Sequence, residues 1–172
     1  MDQIYKHPKR KTKVVFVQLG SPSEPTTKAL RKYLRKFLGD PRVIDINPWL
    51  WKIILNFFVL PFRPKKSAKL YARIWDGKSF PLITNTRDFT NNVREELKKI
   101  DPNGYVEVNH AFLLSPPYVN EVYDSWEDDL KKGVGATKLL VIPMFPQYSE
   151  STIASGIDAL AKELSKRVKI PT

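Results

Sequence analysis

The sequence predicts an α/β fold: a doubly wound, four-stranded, mostly parallel sheet with helices on both faces. Two observations carry this. Short β-branched or aromatic runs alternate with amphipathic helical patterns along the 172 residues. Two of the strand runs, Val14 to Val17 and Leu139 to Ile142, are also apolar throughout rather than at every second position, as happens when a sheet is covered on both sides. A chain of this length buries a core without metal or disulfide support, and its 42% hydrophobic and 27% charged residues are ordinary for a globular domain. The absence of cysteine removes thiolate and iron–sulfur ligation and any disulfide.

The first run is Val14-Val-Phe-Val17, and Gly20 to Pro25 after it is a turn cluster. Before it, Lys6, Lys9, Arg10, Lys11 and Lys13 precede any apolar run, and residues 1–12 read as a mobile, solvated basic tail, with residues 13–172 as the folded unit. A helix capped by Thr26 or Thr27 follows. It turns Leu30, Tyr33, Leu34, Phe37 and Leu38 inward and Lys28, Arg31, Lys32, Arg35 and Lys36 to solvent. The loop at Gly20 lacks both P-loop and GxGxxG spacing. Asp40 to Ile44 is a candidate second strand.

Trp49 to Leu60, bounded by Pro48 and Pro61, is apolar nearly all round. A dozen residues is too short to cross a bilayer, which needs about 20. Two readings stay open: a buried core helix, or an exposed apolar lip of Trp49, Leu50, Trp51, Ile53, Ile54, Phe57 and Phe58, flanked by Arg63, Lys65 and Lys66. Lys65 to Trp75 reads as a second helical piece. Thr86 or Asp88 starts another helix, which Asp101-Pro-Asn-Gly104 stops.

Tyr105 to Leu114 is the next strand, with Val106, Val108 and His110 on one face. His110 has no partner at metal spacing and reads as structural. The helix after Pro117 turns Val119, Val122, Tyr123, Trp126 and Leu130 inward, and Gly133 ends it. Lys138 to Ile142 is the last strand and Ser151 to about Val168 the last helix. The chain stops at Ile170-Pro171-Thr172, where a further strand is expected.

Between that last strand and helix lies Pro143 to Ser155, PMFPQYSESTIAS, a strand end handing over to a helix N-terminus. In open α/β sheets ligands bind outside the carboxyl ends of the strands. Gln147, Tyr148, Ser149, Ser151 and Thr152 are therefore candidate cleft residues, the plainer alternative being that Ser149 or Ser151 caps the helix. The net charge of +11 favours anionic partners, whether acidic lipid, a carboxylated small molecule or nucleic acid. Nucleic acid rests on charge alone, because aromatics do not interleave with basic residues on one strand face.

Four patches, VFVQLGSP (15–22), YLRKFLGDPRVI (33–44), RPKKSAKLYARIW (63–75) and PQYSEST (146–152), resemble ferrochelatases in order and spacing. The resemblance implies two similar lobes that clamp a porphyrin between them, this chain being the first lobe and its own second lobe the partner. It implies ferrous iron and a porphyrin, protoporphyrin IX, as substrates, and no tightly bound cofactor. No metal ligand is expected in this segment, since the family's metal-handling histidine and glutamate belong to the second lobe. Matched residue by residue, Leu19, Gly20 and Ser21 fall in the first loop, with Leu19 facing the ring centre. Arg63 suits a propionate, Tyr71 the macrocycle, and Gln147, Tyr148, Ser149 and Thr152 the cleft. Trp49 to Leu60 matches a hydrophobic lip, which implies a cytoplasmic protein at the surface of the inner membrane. Two positions depart: Leu113-Leu114 replaces an Arg-Tyr pair, and Phe80 stands where a serine precedes Pro81.

Overall fold

The computed structural model describes residues 11–133 and 136–166. Its centre is a three-stranded parallel sheet of β1 (Thr12–Gln18), β2 (Val106–Phe112) and β3 (Lys138–Pro143), in the order β2-β1-β3. Phe16 lies between His110 and Ile142 in the register. As the middle strand, β1 is buried from Lys13 to Val17, which accounts for its unbroken apolar run.

The helices are α1 (Thr27–Leu38), α2 (Pro48–Ile54), α3 (Leu60–Tyr71), α4 (Pro81–Ile100), α5 (Val119–Lys131) and α6 (Ser155–Ser165). One sheet face carries Val15, Val17 and Ala111 under Val119, Tyr123 and Trp126 of α5, with Leu160 and Leu164 of α6 beside them. The Trp126 indole is fully buried and donates to the Ala136 carbonyl at 2.6 Å. The other face packs Val14, Phe16 and Val108 against Val93 and Leu97 of α4. A third cluster joins Tyr33, Leu34 and Leu38 of α1 to Leu55 and Leu60, and includes Leu114.

Four expectations change. Asp40 to Ile44 is a turn, so the described sheet has three strands. Asp40 accepts from the Arg42 N–H on its side chain and from Val43 and Ile44 on its carbonyl, a local alternative to a strand ladder. The helical run does not stop at Pro61. It passes from α2 through a π-helical stretch, Leu55–Val59, into α3, which contains Pro64. Pro64 has no N–H for the Leu60 carbonyl, and Arg31 Nε supplies the missing donor at 3.2 Å.

α4 begins at Pro81 rather than at Thr86 or Asp88. The Thr86 and Thr90 hydroxyls bond back to the Leu82 and Thr86 carbonyls, each at 2.7 Å, which suits a helix interior rather than a cap. Of the expected basic tail, residues 1–10 lie outside the described residues. Thr12 already belongs to β1, and Lys13 is 1% exposed with its ammonium 3.2 Å from Glu107. The last helix likewise begins as a π turn, Glu150–Ala154, before α6, and residues 167–172 lie outside the described residues.

Candidate functional site

All three strands run the same way, so the loops after β1, β2 and β3 open on one edge of the sheet. Backbone bonds tie them together: Leu113 and Leu114 donate to Gln18 and Leu19, and Met144 donates to Val17. The Gln18 side chain adds a bond to the Met144 carbonyl at 2.9 Å. Gly20 is required here. Its φ is +93°, and an added Cβ would fall 2.4 Å from Ser115 Oγ and 3.1 Å from the Phe112 side chain. That Ser115 hydroxyl accepts from the Ser21 N–H at 3.3 Å, fastening the first loop to the second.

Leu19 is half-buried, and Gly20 and Ser21 are buried, at the carboxyl end of β1. At the neighbouring end of β3, Gln147 and Tyr148 are exposed, Tyr148 at 68%. Ser149 makes no side-chain capping bond. Its hydroxyl shares hydrogen bonds with Ser151 at 3.2 Å and Thr152 at 2.7 Å, while its carbonyl accepts from the Thr152, Ile153 and Ala154 N–H groups. The turn Asp40 to Arg42 braces this segment from the side. Arg42 forms a two-point ion pair with Asp158, at 2.7 and 3.2 Å, and Ser155 bonds to Asp40.

Tyr71 reaches the site from α3, packed edge-on against Phe80 at 5.5 Å and tilted against Tyr33 at 6.2 Å. Burial, with Tyr71 beside it, holds the Tyr33 phenol well above the ordinary tyrosine range, so it is a neutral donor to the Gly20 carbonyl. Arg63 is exposed on α3. Along the same run Trp49, Leu50, Phe57, Phe58 and Phe62 stand in solvent, Trp49 and Phe62 at 74%. Trp51, Ile53 and Ile54 are partly buried instead, and the Trp51 indole donates to the Leu38 carbonyl at 2.7 Å. The lip is therefore one exposed face of a helix whose other face is core.

A cavity of about 340 Å³ lies between α1, the segment from Trp75 to Ile83 and the loop after β2. Its lining includes Lys32, Lys36 and Lys78 over Tyr33, Trp75 and Phe80. Helical periodicity assigns Lys32 and Lys36 to the solvated face of α1, and both are exposed there while lining this cavity with residues distant in sequence. Lys36 Nζ donates to Tyr118 Oη at 3.0 Å. Gln147, Tyr148, Ser149 and Thr152 are not part of this lining.

His110 is half-buried on β2, its Nδ1 buried without a partner among the described residues and its ring edge-on to Phe112. Burial, then the charges of Arg94 and Arg87, keeps it below the usual histidine range and neutral. No group of three His, Asp or Glu residues placed to hold a metal occurs among the described residues. Nor is any described helix long and apolar enough to cross a membrane.

A parallel sheet thus carries three stitched loops at one edge, with an aromatic cavity beside them. The family model "Ferrochelatase" matches residues 11–172. The chain belongs to the ferrochelatase family. It is 42% identical over 158 residues to the ferrochelatase of Idiomarina loihiensis, covering 92% of this chain and 42% of that protein. It is 40% identical to that of Actinobacillus pleuropneumoniae serotype 5b, covering 91% and 47%. A protein of Streptococcus mutans named coproporphyrin III ferrochelatase is 39% identical, covering 94% and 49%. The chain thus spans about half the length of the curated relatives it matches.

Proposed function

We propose that this chain is the porphyrin-binding wall of a ferrochelatase, which inserts ferrous iron into protoporphyrin IX to make haem. The observation that carries the reading is the convergence of the loops after β1, β2 and β3 on one edge, next to a cavity walled by Tyr33, Trp75 and Phe80, in a chain of this family. Metal insertion needs a planar ring bent until its pyrrole lone pairs face the ion, and needs two N–H protons to leave. Leu19 and the Tyr71 cluster supply rigid apolar surface for the first task. The second falls to groups of the remaining half, the partner lobe with which this chain closes the cleft.

The exposed face of Trp49, Leu50, Phe57, Phe58 and Phe62, beside Arg63, Lys65, Lys66 and Lys69, favours contact with an anionic membrane surface from the cytoplasm. A non-catalytic membrane-surface module rests on the same face and is the second reading.

The test is loss of porphyrin fluorescence on adding ferrous or zinc ion. It is run with the chain alone and with the chain joined to the carboxyl-terminal part of the Idiomarina loihiensis relative. We expect insertion by the joined protein and none by the chain alone. A folded joined protein that binds vesicles but inserts no metal would favour the second reading.

A further inference from the structure

We infer that Arg94 locks the outer edge of β2 against pairing with a second copy of this chain, and that His110 releases the lock in acid. In the order β2-β1-β3, β2 has one neighbour among the described strands. The Thr12 N–H donates to the Tyr105 carbonyl and the Leu113 N–H to the Gln18 carbonyl, so the odd-numbered residues turn their backbone groups toward β1. Val106, Val108, His110 and Phe112 therefore aim theirs outward. Such an edge matches its own copy turned through a two-fold axis, and left bare it is a template for self-association.

Three of these four residues have an occupied backbone group. Asp101 Oδ2 accepts from the Val106 N–H at 2.7 Å, and the Pro117 carbonyl accepts from the Phe112 N–H at 2.8 Å. Between them Arg94 reaches over from α4. Its Nε donates to the Val108 carbonyl at 2.7 Å, and Nη2 and Nη1 donate to Asn109 Oδ1 and Asn91 Oδ1, both at 2.9 Å. The planar guanidinium thus joins a strand carbonyl, a strand side chain and its own helix at once. Fixed across the middle of the edge, it also repels the same cation on a second copy.

The His110 side chain lies on the α4 side of this strand, and with Arg94 it lines a cavity of about 220 Å³. Its Nδ1 is buried without a partner among the described residues, so a proton added there finds no acceptor. Burial, then the Arg94 and Arg87 guanidiniums of α4, hold the ring below the ordinary histidine value of 6.5. Arg87 is paired with Asp88 at 3.4 Å, whereas the three acceptors of Arg94 are neutral. Lys13 of β1 and Glu121 of α5 line the same cavity, Lys13 ion-paired with Glu107 and Glu121 accepting from the Tyr118 N–H. Phe16, opposite His110 on β1, and Phe112 carry no charge. A charged His110 is thus a third cation beside two. An open edge, which lets the ring and Arg94 separate, binds that proton more tightly than the closed one, so falling pH favours the open edge.

The experiment measures hydrogen exchange at the Val108 and His110 amides in dilute and concentrated samples of the chain, at about pH 7.5 and about pH 5. Pairing through β2 protects these two amides as concentration rises; association through another surface leaves them unchanged. In the parent, protection should be independent of concentration at the higher pH and rise about fivefold with it at the lower. Arg94→Met should show the rise at both pH values, and His110→Asn and His110→Gln at neither. Lys98→Met, which removes an exposed cation from α4, should behave as the parent does. Circular dichroism confirms that each variant is folded at both pH values. A folded Arg94→Met without concentration-dependent protection would overturn the inference. So would an acid response that is missing from the parent or that survives in both His110 variants.

Discussion

Two helical layers of this molecule carry large aromatics and use them in opposite ways. Beneath α5, Tyr123 and Trp126 are 4% and 2% exposed, packed on Val15, Val17 and Ala111. Along α2 and α3, Trp49, Phe57, Phe58 and Phe62 stand 66–74% exposed, while Leu55 and Leu60, at 4% and 1%, anchor that layer together with Pro64 and Ala68. Large apolar side chains say that surface is to be removed from water, not from which side it is covered. The α5 layer is closed by its own sheet; the α2–α3 layer presents its surface outward.

The sharpest test pairs a tryptophan from each layer. Trp126→Ala should destabilise by about 3–5 kcal/mol, since it opens a large cavity and strips the Ala136 carbonyl of its donor. Trp49→Ala should change stability by less than about 0.5 kcal/mol but weaken binding to anionic vesicles measurably. Denaturant midpoints and vesicle sedimentation read the two. Equal destabilisation by both would mean that the lip is core after all, and the comparison would fail.

Between the two layers lies the junction of the strand-end loops, and Gly20 is its tightest point. Gly20→Ala should cost about 1–3 kcal/mol, from the left-handed backbone and from displacement of Ser115. It should also loosen porphyrin binding more than Trp49→Ala does, because Ser115 fastens the first loop to the second. If thermal unfolding of the variant matches that of the parent chain, the junction is softer than its contacts imply.

What the sequence discloses follows the same division. The α5 stripe of Val119, Val122, Tyr123, Trp126 and Leu130 is legible because period and burial coincide within one helix. The Thr26 cap and the β1 run are legible for the same local reason. Asp40 to Ile44 misleads because its β-branched pair is outweighed by one aspartate that bonds its own turn. Lys32 and Lys36 are exposed as their periodicity implies, but periodicity knows only the helix axis and does not show the cavity that they line. What lines the cavity with them, Trp75 to Ile83 and Tyr118, arrives from far along the chain, and only the assembled fold brings it there. Thus the strand ends are readable by position and the cationic cavity is not.

The smallest expected effect concerns the brace that joins these regions, the Arg42–Asp158 pair beside the bond from Ser155 to Asp40. Both side chains are well exposed, so water and salt screen the pair, and Arg42→Ala should lower the melting temperature only slightly. Its pH dependence has a definite sign. The Arg42 guanidinium, by hydrogen bond and then by charge, holds the Asp158 carboxyl below its ordinary value of 3.8. A carboxylate depressed in the folded state adds stability above its unfolded pKa and loses that contribution as pH falls through its folded value. The gap between parent and Arg42→Ala should therefore be flat from neutral pH down to about 4 and close below it. A gap that closes near pH 6 instead would mean that the Asp158 carboxylate is not the group through which Arg42 acts.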